Sequence, residues 1–63
     1  MRIDRIKLIT EMAKQDMKQK DLAEKAGISR ATVNYVKSGK SCSEKVGKKI
    51  ANALGVEVNE LLE

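Results

Sequence analysis

Aliphatic and alanine residues recur every three or four positions along nearly the whole chain. This spacing is typical of amphipathic helices, whose apolar stripes pack on a common core. No segment alternates β-branched and polar residues as a half-buried strand does, and the chain contains no proline. The pattern therefore predicts an all-α fold, a compact bundle of five helices.

The spacing of aliphatic residues predicts the first and last helices. The first is expected over about residues 4–15, with its apolar residues on one face: Ile6, Ile9 and Ala13, with Leu8 and Met12 beside them. The final segment, VEVNELLE, predicts one more short helix whose Val58, Leu61 and Leu62 face the core.

Glycine and serine residues mark the ends of the middle helices. A second helix is expected to end at Gly27, because glycine accepts the left-handed conformation of a tight exit. Ser29 is expected to cap a third helix through the free amide near Thr32, and Gly39 to end it. In the next loop, Ser41 and Ser43 can cap a fourth helix, and Ser41 with Glu44 also fits a capping box. The apolar stripe of this helix follows: Val46, Ile50 and Leu54.

Residues 19–38 have the pattern of a helix-turn-helix. Two short helices that cross at about 90–120° need a small residue where their backbones approach and a residue tolerant of positive φ at the turn. Ala23 and Gly27 supply these, and apolar residues fill the wedge: Leu22, Ala26, Ile28, Val33 and Val36. A simple helical hairpin, which meets some of these offsets by chance, is the alternative.

The outer face of the third helix carries no acidic residue. With Val33 and Val36 toward the core, a helical wheel places the following residues outside: Ala31, Asn34, Tyr35 and Ser38, with Arg30 and Thr32 at the flanks. Arg30 can bind guanine through two donors, Asn34 can pair with adenine, and Ala31 can contact a thymine methyl group. These groups suit the base edges that DNA exposes in its major groove.

Two runs, QKDLAEKAGISRATVNYVKSGK and KKIANALGVEVNELL, resemble the lambda-repressor-like DNA-binding domains of phage repressors, Cro proteins and xenobiotic-response-element (XRE) regulators. The resemblance extends from about Ile6 to Leu62. It implies a five-helix fold with the third helix in the major groove, and a two-fold symmetric dimer on a palindromic operator. It also supports four residues as base-facing, each with a phosphate contact or no contact as the alternative: Arg30, Ala31, Asn34 and Tyr35.

Contacts to DNA phosphates are expected around the third helix. Gln19 opens the second helix, where free backbone amides and the positive helix end attract an anion. Lys45 can reach a phosphate or the minor groove. The resemblance adds four positions that contact the DNA backbone in similar proteins: Thr32, Ser38, Lys40 and Ser43. The alternative is a solvated charge for each lysine and a helix cap for Ser43.

Three features depart from the resembled domains. Lys18 stands where Ser or Thr commonly caps the second helix, and Asp21 can partly compensate by reaching back to the helix start. Lys37 and Met12 stand where a glutamate and an arginine commonly form an ion pair, so both partners are absent together. Glu57 stands where Ser or Asp commonly caps the fifth helix.

The charge balance favours an anionic partner, although many helical proteins are mildly basic. The 63 residues carry 13 Lys and Arg against 9 Asp and Glu, a formal net charge of +4. Cys42 is the only cysteine and histidine is absent, which excludes an internal disulfide and leaves too few ligands for zinc. The segment MRIDRIKLIT alternates charges with aliphatic residues, unlike a signal peptide or a membrane span. A cytoplasmic location is therefore expected.

These features predict a single helix-turn-helix domain over residues 1–63 that binds double-stranded DNA as a sequence-specific transcriptional regulator. The favoured form is a small phage-like or Cro-like repressor, bacterial or phage-encoded and nucleoid-associated, that occupies its operator as a homodimer. The alternative is an antitoxin or adaptor whose main partner is another protein and whose DNA binding is autoregulatory. An enzyme is not expected, because no set of nucleophile, base and oxyanion-stabilising group can be assembled. No cofactor, metal, small-molecule ligand or membrane is expected either.

Overall fold

Residues 1–63, all described by the computed structural model, fold into four α-helices. In chain order these are α1 (Arg5–Lys14), α2 (Gln19–Ala26), α3 (Arg30–Lys37) and α4 (Glu44–Leu54), followed by one 3-10 turn at Val58–Glu60. The all-α prediction is confirmed. The bounds of α2 and α3 agree with the helix-turn-helix predicted over residues 19–38.

One cluster of 13 buried apolar residues joins the four helices. Within it α2 packs against both α3 and α4, and α1 packs against α3. No polar or charged residue is buried with them, so the core contains no polar side chain that must find a partner. The largest fully buried side chains come from every part of the chain: Ile3, Leu8, Leu22, Val33, Val36, Ile50 and Leu61.

The buried face of α1 differs from the prediction. Leu8 is fully buried and Met12 is nearly so, whereas Ile6 is 62% exposed and Ile9 43% exposed. Ala13 is exposed as well, so the prediction that Ile6, Ile9 and Ala13 lie on the buried face is wrong. Successive helical residues lie about 100° apart, so Ile6 is about 200° around the helix from Leu8, and the two cannot both face the core.

The extended residues before α1 fix its rotation. Ile3 is fully buried and forms an antiparallel bridge with Leu62. The Asp4 backbone N–H donates to the Leu61 carbonyl at 2.7 Å, while Asp4 Oδ1 caps α1 by accepting from the backbone N–H of Ile6 at 2.8 Å. Because Asp4 is held on both sides, the first turn of α1 starts in one orientation.

The predicted fifth helix is a single 3-10 turn, so the fold has four α-helices instead of five. Glu57 makes no side-chain cap for this turn. Immediately after the turn, the Leu61 carbonyl accepts its hydrogen bond from the N-terminal segment and Leu62 pairs with the same segment. The chain leaves helical geometry to make these pairings. Leu61 is fully buried as expected, and two other residues are half-buried: Val58 and Leu62.

Ser43, not Ser41, caps α4. The Ser43 Oγ accepts a hydrogen bond from the Val46 backbone N–H at 3.2 Å. The predicted capping box of Ser41 with Glu44 is wrong, because α4 begins at Glu44 and the cap is the residue directly before it. At its other end α4 stops at Gly55, which has a φ of 70°.

Two alanine substitutions test the observed rotation of α1. Leu8→Ala removes a fully buried side chain and is expected to lower the free energy of unfolding by about 2–5 kcal/mol. Ile6→Ala removes an exposed side chain and is expected to change it by about 0.5 kcal/mol or less. Urea denaturation followed by circular dichroism measures both, and equal losses would contradict the observed orientation of α1.

Candidate nucleic-acid interface

The turn between α2 and α3 is built from local contacts. Gly27 has a φ of 71°, in the left-handed region, and the Ile28 N–H donates to the Ala23 carbonyl at 3.0 Å. The Ser29 Oγ accepts from the Thr32 backbone N–H at 3.0 Å and so caps α3. Residues with a Cβ rarely adopt the left-handed backbone conformation of Gly27. The predicted turn at Gly27 and the predicted cap at Ser29 are both confirmed.

The helix α3 turns one side to the core and the other to solvent. Val33 and Val36 are fully buried. Thr32 is half-buried, and its hydroxyl oxygen lies 2.9 Å from the Ser29 Oγ. The exposed residues are the following: Arg30, Ala31, Asn34, Tyr35 and Ser38. The four residues predicted to face bases therefore share one solvent face, and α3 contains no acidic residue.

The Gln19 side chain joins the start of α2 to both ends of α3. Its Nε2 donates to the Arg30 carbonyl at 3.2 Å, and its Oε1 accepts from the Lys37 Nζ at 3.5 Å. Lys37 is half-buried and Met12 lies in the core. A contact between α3 and α2 thus takes the place of the ion pair to α1 expected in the resembled domains. Residue spacing carries no signal for it, because it depends on two side-chain conformations 18 positions apart.

The start of α2 has no side-chain cap at Lys18. Instead, the Asp21 Oδ2 accepts a hydrogen bond from the Lys18 backbone N–H at 3.0 Å, which confirms the predicted compensation. The amides of the first helical turn have no partner within the helix, as at any helix start. These amides and the positive end of the helix favour an anion at Gln19.

The end of α3 folds back on itself. The Ser38 hydroxyl donates to the Tyr35 carbonyl at 2.7 Å, so its proton is engaged within the protein. Gly39 follows with a φ of 89°. The Lys40 Nζ then lies 5.3 Å from the centroid of the Tyr35 ring. Residue spacing does not predict this contact between Tyr35 and Lys40. The glycine between them, Gly39, is the sequence feature that points to a turn there.

The loop between α3 and α4 is held by the N-terminal residue. The Met1 amino group donates to the Cys42 carbonyl and the Cys42 N–H donates to the Met1 carbonyl, both at 2.7 Å. Partial burial raises the pKa of the Cys42 thiol, and the positive charge of the Met1 amino group offsets this only in part. A raised pKa disfavours the reactive thiolate. Ser43 and Lys45 follow this fixed loop and are exposed.

Comparison with known proteins assigns the family. The family model HTH_3, described as helix-turn-helix, matches residues 8–61. The chain belongs to the helix-turn-helix family. The match confirms the resemblance to the lambda-repressor, Cro and XRE-type domains, and it identifies the chain as a DNA-binding regulatory domain.

A solved structure of native PhpD with cadmium atoms is similar to this chain, with a TM-score of 0.85 and 25% sequence identity. The likeness covers 100% of this chain and 14% of the PhpD chain. No curated protein sequence matches. The similarity supports the helix arrangement described above, and this chain corresponds to only a small part of that protein.

Substitutions on the two sides of α3 test its orientation. Tyr35→Ala removes a half-exposed ring and its contact with Lys40, and is expected to lower the free energy of unfolding by about 1 kcal/mol or less. Val36→Ala removes a fully buried side chain and is expected to lower it by about 1.5–3 kcal/mol. Circular dichroism at 222 nm follows both variants in urea. A larger loss for Tyr35→Ala than for Val36→Ala would assign Tyr35 to the core.

Proposed function

We propose that residues 1–63 form a single domain that binds double-stranded DNA sequence-specifically and acts as a small phage-like or Cro-like repressor. The observation that carries this proposal is the exposed side of α3, which is free of acidic residues. A repressor of this kind acts by occupying its operator and blocking polymerase. No helix is long and apolar enough to cross a membrane. We place the protein in the cytoplasm at the nucleoid of a bacterium, encoded by that bacterium or a phage.

Base reading is assigned to the exposed face of α3. Arg30 presents a donor fork that fits the two acceptors of guanine, and Asn34 presents an amide that fits adenine. Ala31 lies between them in the sequence and is small enough for contact with a thymine methyl group. Tyr35 extends the same face with a half-exposed ring. The assignment is supported by their shared exposure, which leaves every one of these groups open to a docked duplex.

Phosphate anchoring is assigned to groups around this face. At the start of α2 the backbone amide of Gln19 is the anion-binding group. One N–H of its side-chain Nε2 is engaged with the Arg30 carbonyl, and the other is a second donor. Thr32 and Ser38 flank the reading face. The Ser38 hydroxyl donates to the Tyr35 carbonyl, so it must turn away from that carbonyl to donate to a phosphate. Three further positively charged or hydroxyl groups lie beyond α3: Lys40, Ser43 and Lys45. Such contacts fix register on the duplex without reading sequence.

We also propose dimerisation on a palindromic operator, and the small size of the domain supports it. The Cα trace measures 23 × 21 × 18 Å, which is shorter than the roughly 34 Å between successive major grooves on one side of DNA. Reading two half-sites therefore takes two copies. Half-buried apolar residues near the C-terminus are the surface we assign to the second copy: Val56, Val58 and Leu62. Leu61, next to this surface, is fully buried and is not available for such a contact.

An antitoxin or adaptor is the second candidate function. The observation that favours it is the exposed aliphatic pair on α1, Ile6 at 62% and Ile9 at 43%. Large exposed aliphatic side chains grouped on one helix suit a protein partner. In that case, DNA binding by α3 is autoregulatory and the main partner is another protein.

Selection from a random duplex library with the purified chain tests the proposed function. At about 150 mM salt, non-specific binding to the DNA backbone is weakened. We expect enrichment of an inverted repeat with half-sites about one helical turn apart. If no sequence is enriched, direct DNA reading is contradicted and the protein-partner function replaces it.

Two variants in the same selection separate base contacts from phosphate contacts. Arg30→Ala is expected to cost about 1–3 kcal/mol of binding and to relax the preference at one base position. Lys45→Ala is expected to weaken binding to all sequences alike. It is also expected to reduce, by about one, the slope of log affinity against log salt concentration. An equal loss on every sequence for Arg30→Ala would contradict its assignment to a base.

A further inference from the structure

Lys40 lies over the ring of Tyr35 at the end of the exposed face of α3. Its Nζ is 5.3 Å from the ring centroid, inside the distance of about 6 Å at which a ring face attracts a cation. Tyr35 is 50% exposed and Lys40 is also exposed, so both remain open to a duplex that docks on α3. A residue assigned to a base and a residue assigned to a phosphate thus contact each other.

The backbone between the two residues brings them together. After α3 ends at Lys37, the Ser38 hydroxyl donates to the Tyr35 carbonyl at 2.7 Å and keeps the chain close to the last turn. Gly39 then takes a φ of 89°, which residues with a Cβ rarely adopt. This turn returns Lys40 toward the helix that it has just left.

We propose that Lys40 is a positioning residue for Tyr35: its ammonium group holds the phenol ring in the orientation that reads a base. This inference rests on the proposed function, because it needs Tyr35 at a base edge. A half-exposed side chain samples several rotamers, and fixing it only when DNA binds costs free energy. When Lys40 orients the ring before DNA arrives, this cost falls, so the specificity supplied by Tyr35 depends on Lys40.

A lysine that only contacts a phosphate behaves differently. Its removal weakens every sequence by the same factor and reduces the salt dependence of binding. Lys45 is the matched control for this behaviour. It is exposed on the first turn of α4. Tyr35, the only aromatic residue of the chain, pairs with Lys40, so Lys45 has no second aromatic ring to contact.

The pair itself is tested first in the DNA-free protein by nuclear magnetic resonance. Because the chain has one aromatic residue, any ring-current shift of a lysine side chain comes from Tyr35. We expect the Hε resonances of Lys40 to lie upfield of those of the other lysines, and Tyr35→Leu to remove the difference. Lys40 resonances at the position of the other lysines, Lys45 included, would overturn the proposal.

The positioning role is tested with a double-mutant cycle on the selected operator. Lys40→Met is expected to relax the preference at the base read by Tyr35, in addition to lowering the salt slope. With Tyr35→Leu it is expected to show a coupling of about two- to five-fold in affinity, the range for an exposed cation–ring pair. Lys40→Arg, which keeps a cation over the ring, is expected to restore the base preference. Lys45→Met combined with Tyr35→Leu is expected to show independent, multiplicative losses.

The outcomes separate this inference from the proposed function. Independent losses for Lys40→Met and Tyr35→Leu, with equal weakening on every sequence, overturn the positioning role and leave the proposed function intact. If the selection enriches no sequence, the proposed function fails and the positioning role fails with it. The ring-current shift of Lys40 in the free protein still shows in that case whether the pair forms.

Discussion

The burial of Val33 and Val36 in the core, where α3 packs on α1 and α2, is the constraint on which the rest of the structure depends. These two side chains are fully buried, so they fix the rotation of α3 and determine which of its residues remain outside. The left-handed turn at Gly27 and the cap at Ser29 set where α3 begins. The bridge from Gln19 to the Arg30 carbonyl and Lys37 then ties both ends of α3 to the start of α2. The orientation of the exposed face of α3 is therefore fixed by residues that are not part of that face: the buried valines and the Gln19 side chain.

The N-terminal segment connects the loop before α4 to the C-terminal segment. Met1 pairs with Cys42 in the loop that precedes α4, and Ile3 and Asp4 pair with the C-terminal segment. The loop beside α3 is consequently not free to move independently of the core. Because Ser43 and Lys45 follow this loop, their placement relative to α3 depends on hydrogen bonds made by the first residue of the chain.

The elements predictable from the sequence are those that local chemistry decides. The turn at Gly27, the cap at Ser29 and the compensation by Asp21 each depend on residues within a few positions of one another. The rotation of α1 and the loss of the fifth helix depend instead on pairing between residues 3–4 and 61–62, at opposite ends of the chain. The spacing of apolar residues within a helix does not predict pairing between such distant segments. For the candidate site, the wheel predicts which residues of α3 are exposed, whereas the Gln19 bridge and the Lys40–Tyr35 pair depend on side-chain conformations.

We propose that the exposed face of α3 is the surface that binds DNA. A titration of the isotope-labelled chain with the selected duplex, followed by amide nuclear magnetic resonance spectra, tests it most directly. We expect the largest shifts in α3 and at the starts of α2 and α4, with the amides near Ile6 and Ile9 of α1 nearly unchanged. Shifts concentrated in α1 or in the 3-10 turn, with α3 unchanged, would contradict it.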